Sequence, residues 1–282
     1  NRGLHGGNND ADNSGMMQYV RIEFPGQALG GANSEINGLS LYSVGSGTVI
    51  DHVQVSYSGD DSYEWFGGTV DCRHLIAYRG LDDDFDTDFG YSGRVQFGLI
   101  IRDPQMYDAA GDSNAFESDN DATGSGAFPR TSAIFSNITI VGPLADGSVV
   151  LSGAETFRKS FRIRRNSGIS VFNTLTTGWP FGLSVEGTST EDNFTTNDTA
   201  VFANNVLANY VAGATVVTAT SSFYGGFFGP DNNDSTTTIT QIGWVDIFTA
   251  LGTTPDARLA ANSTVATGAD FTDNKFQGGF IG

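Results

Sequence analysis

The sequence predicts an all-β fold, a right-handed parallel β-helix, and three observations carry that prediction. Thr, Ser, Asn, Asp and Gly dominate a composition that still holds 12% aromatic residues, which suits many short strands and frequent turns. Short segments alternate apolar and polar residues with a period of two. An acidic aromatic block recurs: Tyr63-Glu64-Trp65-Phe66, then Phe85-Asp86-Thr87-Asp88, then Phe116-Glu117-Ser118-Asp119. Tyr63 and Phe85 are 22 positions apart, and the series Val53, Leu75, Phe97 and Val55, Ala77, Leu99 keep the same step. A fixed period of this size marks stacked repeats. A coil of 22 residues accommodates three short strands and three turns, the rung of a solenoid. Tandem hairpins would need regular two-residue turns, and Asn37-Gly38 stands without a rhythm around it. The right hand follows the general crossover preference.

The elements follow in order. Strands are expected at 19–24, 39–42, 53–57, 75–78, 97–101, 134–140, 169–173 and 201–207, where apolar residues fall on alternate positions. Insertions leave a solenoid at its turns, and 104–115, 120–131, 144–165 and 186–199 read as such excursions. Asn137, Asn173 and Asn205 open similar triplets in three later strands, so an amide ladder through them is expected. Helices are expected at 244–251, ending at Gly252, and more weakly at 256–262, as a cap or docked lid.

No Pro/Ser linker or break in composition divides the chain, so residues 1–282 read as a single β-helix domain. It starts Asn1-Arg2-Gly3 and stops in a glycine-rich stretch, which reads as a processed or partial chain. The formal net charge is −18 with two lysines, Lys159 and Lys275. Phosphate neutralisation needs Lys and Arg, so nucleic acid is excluded as the expected partner. No stretch reaches the 18 apolar residues of a membrane span. The lone Cys72 reads as a buried structural thiol.

Aligning the repeats puts Tyr63, Phe85 and Phe116 in one column and Glu64, Asp86 and Glu117 in the next. Alternation then sends the rings inward and the acids outward, on rungs about 4.8 Å apart. Carboxylates that close repel unless a cation or a proton intervenes. The candidate metal ligands are Asp60, Asp61, Glu64, Asp82, Asp83, Asp84, Asp86, Asp88, Glu117, Asp119 and Asp121; an oxygen-only set of this density suits Ca2+. Asp and Asn bonded to turn backbone are the plainer alternative. If the face is catalytic, Glu64, Asp86, Asp88 and Glu117 are the candidate residues, because paired carboxylates cleave glycosidic bonds. Arg162, Arg164 and Arg165, in a basic run rare for this chain, are expected either to bind an acidic glycan or to fold against the acids. Trp65 and Tyr91, with Trp179, Tyr224, Phe227 and Phe228, are candidate sugar-stacking rings, and packing in the core is the plainer reading of the same rings. His52 and His74, also 22 apart, read as a stacked outer pair rather than as metal ligands. Thr199 and Ser235, each after an Asp, match an O-glycosylation acceptor pattern, and Asn193 opens one of several N-glycosylation triplets.

Long strings carry a resemblance. They are His5–Gly15, Tyr19–Phe24, Glu35–Gly68 (EINGLSLYSVGSGTVIDHVQVSYSGDDSYEWFGG), and the runs 82–104, 116–126, 135–143 and 164–174. Across roughly its first two thirds the chain resembles a largely uncharacterised family of secreted or surface-anchored parallel β-helix proteins of Bacteroidota. The resemblance implies an extracellular or outer-membrane location, further sequence before His5, and commonly a lipoprotein or sorting signal. It carries no catalytic residues over.

The leading expectation is a non-catalytic extracellular or cell-surface protein that binds a glycan or a partner protein, with calcium as a stabilising ion. A polysaccharide lyase or glycoside hydrolase working in an acidic groove is the first alternative. A structural subunit of a surface assembly, self-associating through open β-helix ends, is the second.

Overall fold

The computed structural model describes residues 4–27, 29, 36–208, 217–218, 231–247 and 254–276. Within them the strands are β1 (Met16–Glu23), β2 (Leu39–Val44), β3 (Val49–Ser56), β4 (Tyr63–Gly68), β5 (Cys72–Tyr78), β6 (Phe85–Asp88), β7 (Arg94–Ile101), β8 (Phe116–Ser118) and β9 (Ile134–Val141). The later ones are β10 (Lys159–Ile163), β11 (Ser170–Phe172), β12 (Leu175–Thr177), β13 (Phe181–Val185), β14 (Phe202–Ala203), β15 (Val206–Ala208), β16 (Val217–Thr218), β17 (Trp244–Asp246) and β18 (Asp256–Leu259). Two parallel sheets alternate along the chain. One runs β1-β3-β5-β7-β9-β11-β14, with β12 and β15 continuing its last rungs; the other runs β2-β4-β6-β8-β10-β13-β16. From β1 to β11 every consecutive strand changes sheet, β12 continues the sheet of β11, and β13 returns to the other, so each coil is stacked on the one before. This is a parallel β-helix.

The first sheet bends along a single column. Tyr19, His52, His74, Phe97, Asn137, Asn173, Asn204 and Asn232 all adopt left-handed backbone, with φ of 51 to 64. The strand registers place the first seven over one another, and Asn232 Nδ2 donates to Asn204 Oδ1 at 2.9 Å. Each long strand is therefore two legs joined at a kink, which supplies the three walls of the coil. Asn tolerates this conformation better than most residues. The upper rungs use rings instead and gain stacking: Tyr19 on His52 at 4.6 Å, His52 on His74 at 4.2 Å and His74 on Phe97 at 5.1 Å.

The core is lined by the inward positions of all three walls. Tyr63, Phe85, Phe116 and Phe161 form a ring column, with successive centroids 5.4, 5.3 and 5.0 Å apart. Trp65, Tyr91 and Phe135 pack beside them. The Tyr63 hydroxyl donates to Val53 O at 2.7 Å, satisfying a polar group that would be costly to bury alone. Cys72 is fully buried and burial pushes its thiol up to about 12, so it is a packing residue.

Five sequence expectations are corrected. The 22-residue step becomes 23 between β5 and β7, so Leu75 pairs with Gly98 and Ala77 with Ile100. A slip of one residue exchanges faces: Phe97 leaves the inward column for the kink, and Leu99 turns outward. Gly98 fits inside because a Cβ there would meet Ile138 Cδ1 at 2.8 Å and the Phe85 ring at 3.1 Å. The Asn ladder runs through Asn204, not Asn205. Asn205 is buried one position further on and makes an inner ladder, donating to Val171 O at 3.0 Å, while Asn233 repeats the pattern onto Phe202 O at 2.7 Å.

The span 144–165 is not all excursion, since it ends in β10. Segments 244–246 and 256–259 are not helices but the antiparallel pair β17–β18; 248–251 lie outside the described residues. A short turn of helix, α2 (Ile239–Ile242), precedes that pair, capped by Thr238 and Gln241. The one longer helix among the described residues, α1 (Thr188–Thr195), fills the excursion between β13 and β14. Its Asn193 is buried and donates to Ser167 O at 2.9 Å, which removes it as a glycan acceptor.

Candidate functional site: the acidic face of the second sheet

Two outward columns cross the second sheet. Strand pairing aligns Ser40, Glu64, Asp86, Glu117, Arg162 and Ser184 in one of them. The other holds Tyr42, Phe66 and Asp88, and hydrogen bonds extend it through Asp119, Arg164 and Glu186. Along the axis the face therefore passes from aromatic to acidic to basic. The alternation that exposes these residues buries Tyr63, Trp65, Phe85 and Thr87.

The acidic zone is dense. One carboxylate oxygen each from Asp61, Glu64 and Asp86 lie within 4.8 Å of one another, and so do those of Asp60, Asp61 and Asp82. Burial first, then repulsion from Asp60, Asp88 and Glu117, pushes Glu64 up to about 8. Burial, followed by Glu64 and Glu117, holds Asp86 well above the usual carboxylate range. Asp61 is raised in the same way, with Asp86 its strongest neighbour, and burial lifts Asp82 to about 7. Asn37 Nδ2 donates to Glu64 Oε2. Asp86 Oδ1 is buried with no hydrogen-bond partner among the described residues, an uncommon state for a carboxylate oxygen.

Other candidates serve structure. Asp83 Oδ1 accepts the Asn114 amide at 2.6 Å, and Asp61 Oδ1 accepts the Asp83 amide at 3.0 Å. Asp84 is fully buried and paired with Arg102 at 2.7 Å, so its side chain is not a ligand on the outer face. Asp88 accepts the amide of Phe89 at 2.6 Å. Asp121 closes its own turn, accepting Thr123 N at 2.8 Å, and these bonds hold its carboxyl below the usual range.

The basic run folds against the acids. Arg162 Nη1 lies 3.2 Å from Glu117 Oε2, and Arg164 bonds both Glu117 and Asp119, the latter at 2.9 Å. Arg165 reaches Asp119 at 2.6 Å. Arg162 also meets Glu186 at 3.2 Å, which Lys159 joins at 2.9 Å. These guanidiniums are engaged within the chain and do not form an open strip for an acidic glycan.

Of the two readings of the candidate stacking rings, burial supports packing in the core. Trp65, Tyr91 and Trp179 are fully buried; Tyr224, Phe227 and Phe228 lie outside the described residues. The rings on the outer face are Tyr42, stacked on Phe66 at 4.6 Å, and Phe89, tilted 6.2 Å from Phe66. Tyr42 and Phe89 are 51% and 52% exposed. Alternation carried the signal for them: with Trp65 inward, Phe66 must point out. Asp112 and Glu186, which complete the ionic network, lie outside the repeated block and had no such signal. Thr199 is exposed after α1, whereas Ser235 is half-buried.

A family model described as a pectate-lyase-like beta helix domain matches residues 2–246. The comparisons with curated proteins and with solved structures find no match.

Proposed function

The chain belongs to the pectate-lyase-like β-helix domain family, and from that premise we propose that it is a polysaccharide-binding protein of the cell exterior whose binding face is organised by calcium. One observation carries the reading: oxygens of Asp61, Glu64 and Asp86 converge within 4.8 Å while the buried Asp86 Oδ1 has no partner among the described residues. The donors are all oxygen, the density suits Ca2+, and a cation would relieve the repulsion among them. Asp60 and Asp82 would extend the set. When bound, the ion supplies positive charge that an acidic sugar can share. Tyr42, Phe66 and Phe89 supply apolar ring surface beside it. Arg162 and Arg164 balance Glu117 and Asp119 and keep the lower rungs in register. The resemblance to Bacteroidota surface proteins and the exposed Thr199 support the exterior location.

The test is retention on a panel of uronate-containing and neutral polysaccharides, with and without calcium. The expected result is retention of an acidic polymer that EDTA abolishes and that Glu64→Gln and Asp86→Asn weaken. Absence of retention at any calcium level sinks the reading. New reducing ends or unsaturated uronate would replace it with the enzymatic one, in which Glu64, protonated near neutrality, is the acid.

A further inference from the structure

The kink of the first sheet holds a second cluster, remote in character from the acid face. His52 Nδ1 and His74 Nδ1 lie 2.8 and 2.7 Å from the same oxygen, Oδ1 of Asp51. Gln18 Nε2 holds the other Asp51 oxygen at 3.2 Å. Tyr19 stacks on one side of the imidazole pair and Phe97 on the other, so both ring planes are fixed. The two imidazoles are 40% and 41% exposed and border a groove of about 580 Å3, roofed at one point by Ala257. Backbone geometry does not ask for histidine here. The same column is filled by Asn137, Asn173 and Asn204 further down, and Asn is the better residue for left-handed backbone.

We infer that Asp51, His52 and His74 form a binding site for a first-row divalent transition cation, of the zinc or copper type. Two imidazole nitrogens and one carboxylate oxygen are the donor set such ions prefer, and one that calcium does not. The N···O separations of 2.7 and 2.8 Å are close to the edge of about 2.9 Å in a square-planar or octahedral site with bonds of about 2.0–2.1 Å, and a small opening of the pairs reaches the edge of about 3.3 Å of a tetrahedral one. Without the ion, each Nδ1 carries the proton that bonds the carboxylate. The cation takes both Nδ1 positions, and each ring's one proton moves to Nε2 by exchange with water, so none is released overall. No ligand changes oxidation state. Three protein donors leave further coordination positions open toward the groove.

The full chain is titrated with CuCl2 and with ZnCl2 by calorimetry, in excess calcium so that the acid face is filled. His52→Asn, His74→Asn and Asp51→Asn are compared with the parent, and the Cu2+ form is examined by electron paramagnetic resonance. Saturable binding is expected, with superhyperfine coupling to two nitrogens that falls to one in each His variant and an affinity lowered at least about tenfold. The Asn variants reproduce the residue the column uses elsewhere, so their melting curves serve as the folding control. The proposal is overturned if no saturable binding occurs, if the three variants bind as the parent does, or if the copper signal shows oxygen ligands alone.

Discussion

Arg162 occupies the rung directly after Glu117 in the parallel register of β8 and β10, with its Nη1 3.2 Å from Glu117 Oε2. An outward column of three acids thus terminates on opposite charge, and Arg164 repeats the arrangement against Asp119 in the next column. Both arginine side chains are less than a fifth exposed, at 19% and 16%, so the pairs are more than surface ornaments. Replacing Arg162 with Gln leaves Glu117 facing Asp86 with Arg164 as its one remaining ion-pair partner among the described residues. The expected loss is about 2 kcal/mol, in the range of charge-assisted hydrogen bonds. It would be read from the urea midpoint. A midpoint equal to that of the parent would mean that Arg164 alone neutralises the rung.

The acid zone sets a direction for pH. Glu64 is pushed to about 8 and Asp82 to about 7, with Asp61 and Asp86 also raised, by burial first and by mutual repulsion after it. In the unfolded chain such groups titrate near 4. Between those limits the folded state holds more protons than the unfolded state, so stability falls as pH rises. The contribution is complete below about pH 4 and is lost as pH passes through about 8. In EDTA, Tm at pH 8.5 should lie below Tm at pH 5.5, by about 2–8 °C for a loss of roughly 1–2 kcal/mol. Millimolar calcium should restore the value at pH 8.5 and change little at pH 5.5. Glu64→Gln should flatten the profile. A Tm that calcium leaves unmoved at the higher pH would remove the cation from the account.

Beneath the acid face, Arg102 ties one coil to the next excursion. It pairs with Asp84 at 2.7 Å and donates to Gly80 O at 2.7 Å and to Asn114 O at 2.6 Å, all out of solvent. Burial pushes Asp84 to about 7 against the pull of Arg102. Arg102→Met leaves that carboxyl without its partner and frees two buried carbonyls, and the expected cost is about 3–5 kcal/mol. The double variant Arg102→Met, Asp84→Leu should recover part of it. A double variant no better than the single one would place the whole effect in the carbonyl contacts to Gly80 and Asn114.

The coil and the acid column were readable because both depend on local period. Glu64, Asp86 and Glu117 each follow an inward ring, and parallel pairing turns that spacing into contact. Phe97 was misplaced because a single added residue between β5 and β7 is invisible to a period yet reverses every face after it. Trp65 has the chemistry of a sugar-stacking ring, but its own strand alternation sends it inside. The 244–246 segment was misread because its apolar run is too short for period to separate strand from helix, and its partner, 256–259, lies beyond a connecting segment. His52 and His74 were legible as a pair, but the carboxylate they share, Asp51, has no repeat to announce it.

The last segment of the described chain is held by the same kink column, and the hold can be tested. Asn173 Nδ2 donates to Asp270 O at 3.0 Å, and its Oδ1 accepts the Asp270 amide at 2.9 Å. A few residues on, Phe276 packs on Phe172 at 4.7 Å, and Lys275 Nζ donates to Thr199 O at 2.8 Å. A two-bond clamp and one ring contact thus lay 270–276 along the wall formed by β11 and β14. Asn173→Ala removes both clamp bonds and also places a residue with no amide in left-handed backbone. It should cost about 1–3 kcal/mol. Asn173→Gly keeps the backbone freedom and removes only the clamp, so it separates the two causes. Hydrogen exchange should accelerate at 268–276 in both variants, while β7 and β9 stay protected. Unchanged exchange at 268–276 in the Gly variant would show that Phe276 alone docks the segment.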